Sequence, residues 1–151
     1  MLSLYLYQKD IELLKQRGCA VALCPRSNAA LNVGKAPVTE YLNAGIPLAL
    51  GTDSLASSNS LSVWDELAFA FEWFAGAAEP RDWLEIATLG GAKALGIENL
   101  MGQLASGQEA SFQVVTLPSL PQVEVLEETL CAAGKDVNVT HLYLANENVL
   151  L

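Results

Sequence analysis

Two uninterrupted apolar runs of strand length, Cys19-Ala20-Val21-Ala22-Leu23-Cys24 and Ile46-Pro47-Leu48-Ala49-Leu50-Gly51, constrain this chain more than any other feature. Neither alternates apolar with polar residues, so each reads as a strand buried on both faces. Between them, Pro37 opens a short helix through Tyr41 and Leu42 that ends at Asn43-Ala44-Gly45. Two strands joined by a helical crossover form a βαβ unit, which predicts parallel strands and a right-handed connection. Functional loops follow the carboxy-terminal ends of such strands. The polar loop Pro25-Arg26-Ser27-Asn28 and the tetrapeptide Gly51-Thr52-Asp53-Ser54 are therefore the places to look for chemistry.

Helices surround the pair. Ile11, Leu13 and Leu14 recur at near-helical spacing from Gln8 to Arg17, and Gly18 supplies the stop. Val63 to Ala75 reads as a longer helix, and Arg81 to Leu95 as another that begins after Pro80 and is bent or interrupted at Gly90-Gly91. The chain then changes character. Ser111 to Thr116 alternates like an exposed edge strand, Pro121 starts a helix that runs to Gly134, and Val137 to Leu144 has strong β propensity. Asn146-Glu147-Asn148 reads as a turn into a last short strand. The expectation is two layers that pack together, with no internal repeat and no low-complexity linker.

Composition removes several classes of function. Seventeen acidic against eight basic residues give a formal charge of −9, and the Lys and Arg are scattered, so a nucleic acid or an anionic membrane would be repelled. The three cysteines, Cys19, Cys24 and Cys131, form no Cys-x-x-Cys pair and suggest neither a disulfide framework nor a zinc knot, which fits a reducing cytoplasm. The apolar opening Met1 to Tyr7 stops too soon for a signal peptide or a membrane span and reads as core-bound chain whose predecessor is absent.

Asp53 lies just beyond the second strand, on the face that carries Ala49 and Gly51. A carboxylate there can ligate a divalent cation and accept a proton from metal-bound water; it can equally cap the following turn. Ser27 and Asn28 can meet a polar substrate or hold their own loop by side-chain-to-backbone bonds. Cys24 reads as a small buried hydrophobe, and the one histidine, His141, as a structural residue of the terminal strand. The aromatic residues Trp64, Phe69, Phe71, Trp73, Phe74 and Trp83 read as a packing stripe.

The ordered set Cys24-Pro25-Arg26-Ser27-Asn28, Gly34, Pro37, Gly45, Leu50-Gly51-Thr52-Asp53-Ser54 and Ser58-Asn59 resembles the amidohydrolase superfamily, in the branch of chlorohydrolases, cytosine and guanine deaminases, and deaminases of S-adenosylhomocysteine and aminofutalosine. The likeness continues through Ala87 to Gly96 and Gly102 to Ala110, and Val139 to Leu151 is similar to the strand pair closing that family's small β-domain. Ser111 stands where the family often has aspartate, and Glu147 where it often has glycine.

The resemblance implies an α/β fold: residues 1–100 as the carboxy-terminal part of a (β/α)8 TIM barrel, with its last two strands and helices, and residues 101–151 as part of a small β-sandwich domain. It implies that Asp53 is the last-strand metal-linked catalytic aspartate, with Ser27, Asn28 and Ser54 on the substrate side. The cofactor would be a divalent metal, zinc or possibly iron, held in the complete enzyme by histidines of earlier strands and not by this chain alone. The complete enzyme would hydrolyse a C–N bond of a purine-like or other heterocyclic amine. The alternative is a non-catalytic truncated hydrolase that persists as a self-associating or partner-binding module. Either way, open sheet edges predict a homo-oligomer or association with the missing amino-terminal part.

Overall fold

A computed structural model describes residues 7–149. The expectation of a core-bound opening at Met1 to Tyr7 falls almost wholly outside them.

The helix predicted at the start is α1, Gln8–Gln16. Asp10 accepts the Tyr7 backbone N–H at 2.9 Å, tying the first turn, and Gly18 takes the left-handed φ of 63° that ends it. Strand β1, Val21–Leu23, pairs in parallel with β2, Leu48–Leu50, in the register Val21 to Leu48. Between them lie α2, Pro25–Ala30, and α3, Val38–Ala44, the latter stopped by Gly45 at φ 71°. After β2 come α4, Val63–Trp73, capped by the Ser62 hydroxyl, then α5, Pro80–Ala87, and α6, Leu89–Leu95. Strand β3, Phe112–Thr116, is followed by helix α7, Leu126–Ala133, and strands β4, Asn138–Leu144, and β5, Glu147–Asn148. These three strands form an antiparallel sheet in the order β3-β4-β5, which leaves β3 on an edge, as its alternation predicts.

Three expectations are corrected. The stretch from Pro25 to Asn28 is not a loop but the first turn of α2, because Pro25 sits at the first helical position, where its missing N–H costs nothing. The break in the Arg81 to Leu95 helix falls at Thr88, whose φ and ψ are −122° and −88°, and not at the glycines. Gly90 instead lies inside α6 directly on the sheet: a Cβ there would stand 2.1 Å from the Leu48 carbonyl oxygen, so only glycine allows this approach. Finally, β2 buries Leu48 and Ala49, but Ala22 of β1 is exposed. Helices α4, α5 and α6 all contact β2, whereas the exposed Ala22 leaves one face of β1 open among the described residues.

The core lies between the parallel strands and the helices. Val21, Leu23 and Leu48 share one buried cluster with Tyr41, Ile86, Leu67 and Trp83. Phe74 stacks on Trp83 with ring centroids 6.0 Å apart, so the aromatic stripe packs as expected. Helix α7 contacts α4 and α5 and inserts Cys131 into this core, where its thiol donates to the Pro80 carbonyl at 3.2 Å.

Candidate functional site

Both parallel strands end on the same side, and the residues just past them converge. The β1 end leads into α2, whose second and third residues are Arg26 and Ser27; the β2 end leads through Gly51 to Asp53. Ser27 is 1% exposed, yet its hydroxyl donates to Asp53 Oδ2 at 2.8 Å. The Ser57 hydroxyl stands 2.7 Å from the Ser27 oxygen and 3.4 Å from the same carboxylate oxygen. Among the described residues no hydrogen bond falls on Asp53 Oδ1, and Asp53 itself is exposed. One oxygen is thus anchored while the other accepts no hydrogen bond among the described residues. The Asp53 backbone has a φ of 57°, a left-handed conformation that aspartate tolerates better than most residues and that turns the side chain off the strand path.

Beneath this carboxylate, Cys24 is half-buried. Burial pushes its thiol above the usual range, the nearby Asp53 and Glu66 charges add to this, and a backbone N–H from Asp53 opposes it. Such a thiol is a poor nucleophile, in keeping with its reading as a small apolar group. Gly51 lies close against it: a Cβ there would come within 3.3 Å of the Cys24 sulfur, a tight contact.

Ser27 and Asp53 are therefore brought together, but Asn28 and Ser54 are not joined to them by any hydrogen bond among the described residues. Ser54 serves its own turn: its hydroxyl accepts the Ala56 N–H at 3.3 Å and its carbonyl accepts the N–H groups of Ser57 and Ser58. Asn28 is half-buried on α2, its N–H given to the Cys24 carbonyl. His141 is exposed on β4 beside Thr140, in the other sheet. Among the described residues no three His, Cys, Asp or Glu side chains converge as a metal would require.

One participant was not singled out from sequence. Glu66, in the first turns of α4, is 0% exposed. Its Oε2 accepts the Arg26 N–H at 3.2 Å, and its Oε1 lies 3.7 Å from Arg26 Nη1. The Arg26 guanidinium also reaches Asp65 at 3.8 Å and the Asn59 side-chain oxygen. Burial raises the Glu66 carboxyl above the usual carboxylate range, opposed by the Arg26 N–H and charge and by the Ser58 hydroxyl. In the sequence, Glu66 looks like an ordinary acidic residue at a helix start, where it would favour the dipole in solvent.

This arrangement, a buried parallel pair with a polar cluster at its carboxy-terminal end, is matched along nearly the whole chain by the profile of the Amidohydrolase family, over residues 2–148. The chain belongs to the amidohydrolase family. It is 37% identical, over 95% of its length, to a 5-methylthioadenosine/S-adenosylhomocysteine deaminase of Natronomonas pharaonis, and 41% identical, over 87%, to the protein of that name in Halobacterium salinarum. It spans 35% and 32% of those two proteins, about a third of their length. Among solved structures it superposes with a TM-score of 0.87 and 32% identity on an adenosine deaminase from Xanthomonas campestris with bound zinc, covering 99% of this chain and 36% of that one. The guanine deaminase of E. coli, at 24% identity, shares the fold with a TM-score of 0.85, covering 97% of this chain and 37% of that one. These are mixed α/β amidohydrolases. No described helix is long and apolar enough to cross a membrane.

Proposed function

We propose that this chain forms part of a hydrolytic deaminase of purine-like amines, and that Asp53 is its working carboxylate. The observation that carries the reading is the split role of that side chain: Oδ2 is fixed by the buried Ser27 hydroxyl, while Oδ1 accepts no hydrogen bond among the described residues and the residue is exposed past the ends of two parallel strands. In this reading residues 1–100 supply the closing strands and helices of a (β/α)8 barrel, and residues 101–151 part of a small β-sandwich. Active sites of such barrels gather at this end of the strands.

The residues present fit one ligand position for a divalent metal, since an exposed carboxylate with one oxygen held and the other free of hydrogen bonds among the described residues is suited to ligation. Asp53 would hold the ion; the remaining ligands would come from outside the described residues. When bound, the metal supplies a water whose pKa falls to about 7. Asp53 would take the proton from that water and pass it to the departing amine, with Ser27 keeping the carboxylate from rotating. Asn28 and Ser54 lie next to Ser27 and Asp53 in the chain, at the rim where a polar substrate would enter. Zinc in the adenosine deaminase neighbour and the names of the relatives favour zinc and an adenosine-like substrate such as 5-methylthioadenosine or S-adenosylhomocysteine.

The test is ammonia release from these two compounds by a polypeptide containing this chain together with the histidine-bearing part of the barrel. Asp53→Asn is expected to abolish turnover while leaving the far-ultraviolet circular dichroism of the chain unchanged. Full activity in the variant, or a collapse of its folded signal, would refute the assignment.

A further inference from the structure

Beyond Asp53 itself, the structure places a buried acid behind the site with no role in the chemistry just described. Glu66 is 0% exposed, and both of its oxygens face Arg26: Oε2 accepts the backbone N–H at 3.2 Å and Oε1 lies 3.7 Å from Nη1. Arg26 is the second residue of α2, so its N–H has no partner within the helix. The acid thus satisfies, from 40 residues away, a donor that the helix cannot satisfy itself. The next residue along α2 is Ser27, whose hydroxyl reaches Asp53 at 2.8 Å. Helix α2 is six residues long, below the length at which a helix is stable by itself. At the far end of the following segment, Lys35 donates to the Trp73 carbonyl at 2.6 Å, so the stretch from Arg26 to Lys35 is strapped to both ends of α4.

We propose that Glu66 is a positioning residue: by holding the Arg26 N–H and guanidinium it fixes the first turn of α2, and thereby aims the Ser27 hydroxyl at Asp53 Oδ2. A neutral isostere would keep an oxygen for the N–H and lose the pairing with the guanidinium. An apolar replacement would lose both. The inference rests on the reading of Asp53 as the working carboxylate. It is measured without turnover, so its failure is distinct from a failure of the deaminase assignment.

The experiment is nuclear magnetic resonance on the full chain, with two readouts in wild type, Glu66→Gln, Glu66→Ala and Leu67→Ala. One readout is the set of three-bond couplings that report the Ser27 χ1 rotamer. The other is hydrogen exchange at the Arg26 amide. Leu67 is the adjacent core residue, 2% exposed, and its truncation weakens packing while leaving the Glu66 side chain in place. Wild type and Leu67→Ala are expected to show a single Ser27 rotamer and a protected Arg26 amide. Glu66→Ala is expected to average the rotamer and to speed Arg26 exchange by roughly tenfold or more, as loss of a bond to a charged group implies. Glu66→Gln should fall between and retain the fold if Glu66→Ala does not. A fixed Ser27 rotamer in Glu66→Gln and in any folded Glu66→Ala would overturn the proposal, as would equal averaging in Leu67→Ala.

Discussion

The two sheets of this molecule use their residues in opposite ways. The parallel pair β1 and β2 is short, three residues each, and gains its rigidity from what is packed on it: Leu23 and Leu48 are buried, α6 rides on the Leu48 carbonyl, and α4 brings Glu66 underneath α2. The antiparallel sheet is longer and held by its own ladder, with cross-strand partners such as Phe112 and Tyr143 stacked 4.7 Å apart, while Val114 and Leu144 stay exposed. Polar chemistry is concentrated where packing is tightest. Order in a side chain such as Ser27 comes from the lack of room around it, and a ladder of backbone bonds with one wet face cannot supply that.

If this contrast holds, substitutions of equal size should differ sharply between the regions. The largest effect is expected for Trp83→Ala: the side chain is 0% exposed, and its removal should cost about 3–5 kcal/mol in denaturant unfolding. A loss below about 1 kcal/mol would mean that the parallel region is not the tight one. Next come two neighbouring glycines of α6. Gly90→Ala drives a Cβ into the Leu48 carbonyl and should cost about 1–3 kcal/mol or more, whereas Gly91→Ala meets nothing within 4 Å and should gain about 0.5–1 kcal/mol of helix stability. Equal thermal shifts for the two would break the picture of α6 lying on β2.

A third, smaller effect concerns pH. Burial raises the Glu66 carboxyl, opposed by Arg26 and Ser58, so folding favours its neutral form. Its contribution is therefore complete at low pH and is lost as pH rises from the ordinary glutamate range through the raised folded value. Glu66→Gln cannot ionise, so the stability of wild type relative to the variant should fall across that rise. A difference that is flat, or that grows with pH, would show that Arg26 outweighs burial. The smallest effect belongs to the antiparallel sheet, where Val114→Thr on an exposed, β-branched position should stay within about 0.5 kcal/mol.

Local signals in the sequence were reliable where one residue decides one event. Gly18 and Gly45 stop helices in left-handed conformations, Pro80 starts α5, and the apolar runs become paired strands. The sequence misleads where two signals compete: Pro25 ends a strand and also starts a helix, and Gly90-Gly91 looks like a break although the helix runs through both and only Gly90 is demanded by the closeness of β2. The position of Asp53 just past a strand end was legible from the apolar run before it. Its bond to Ser27 was not, because a contact between residues 26 positions apart leaves no trace in either local segment. Glu66 was hidden more deeply, since nothing in Val-Trp-Asp-Glu-Leu distinguishes an acid facing water from one facing inward.

The left-handed backbone at residue 53 carries a consequence for how this position could change over generations. A φ of 57° admits glycine freely, asparagine and aspartate with little penalty, and β-branched residues hardly at all. A library randomised at this codon and selected for folded, soluble chain alone should already enrich for those three residues. Selection for chemistry would then have only to choose the acid among them. The turn narrows the alphabet before any substrate does.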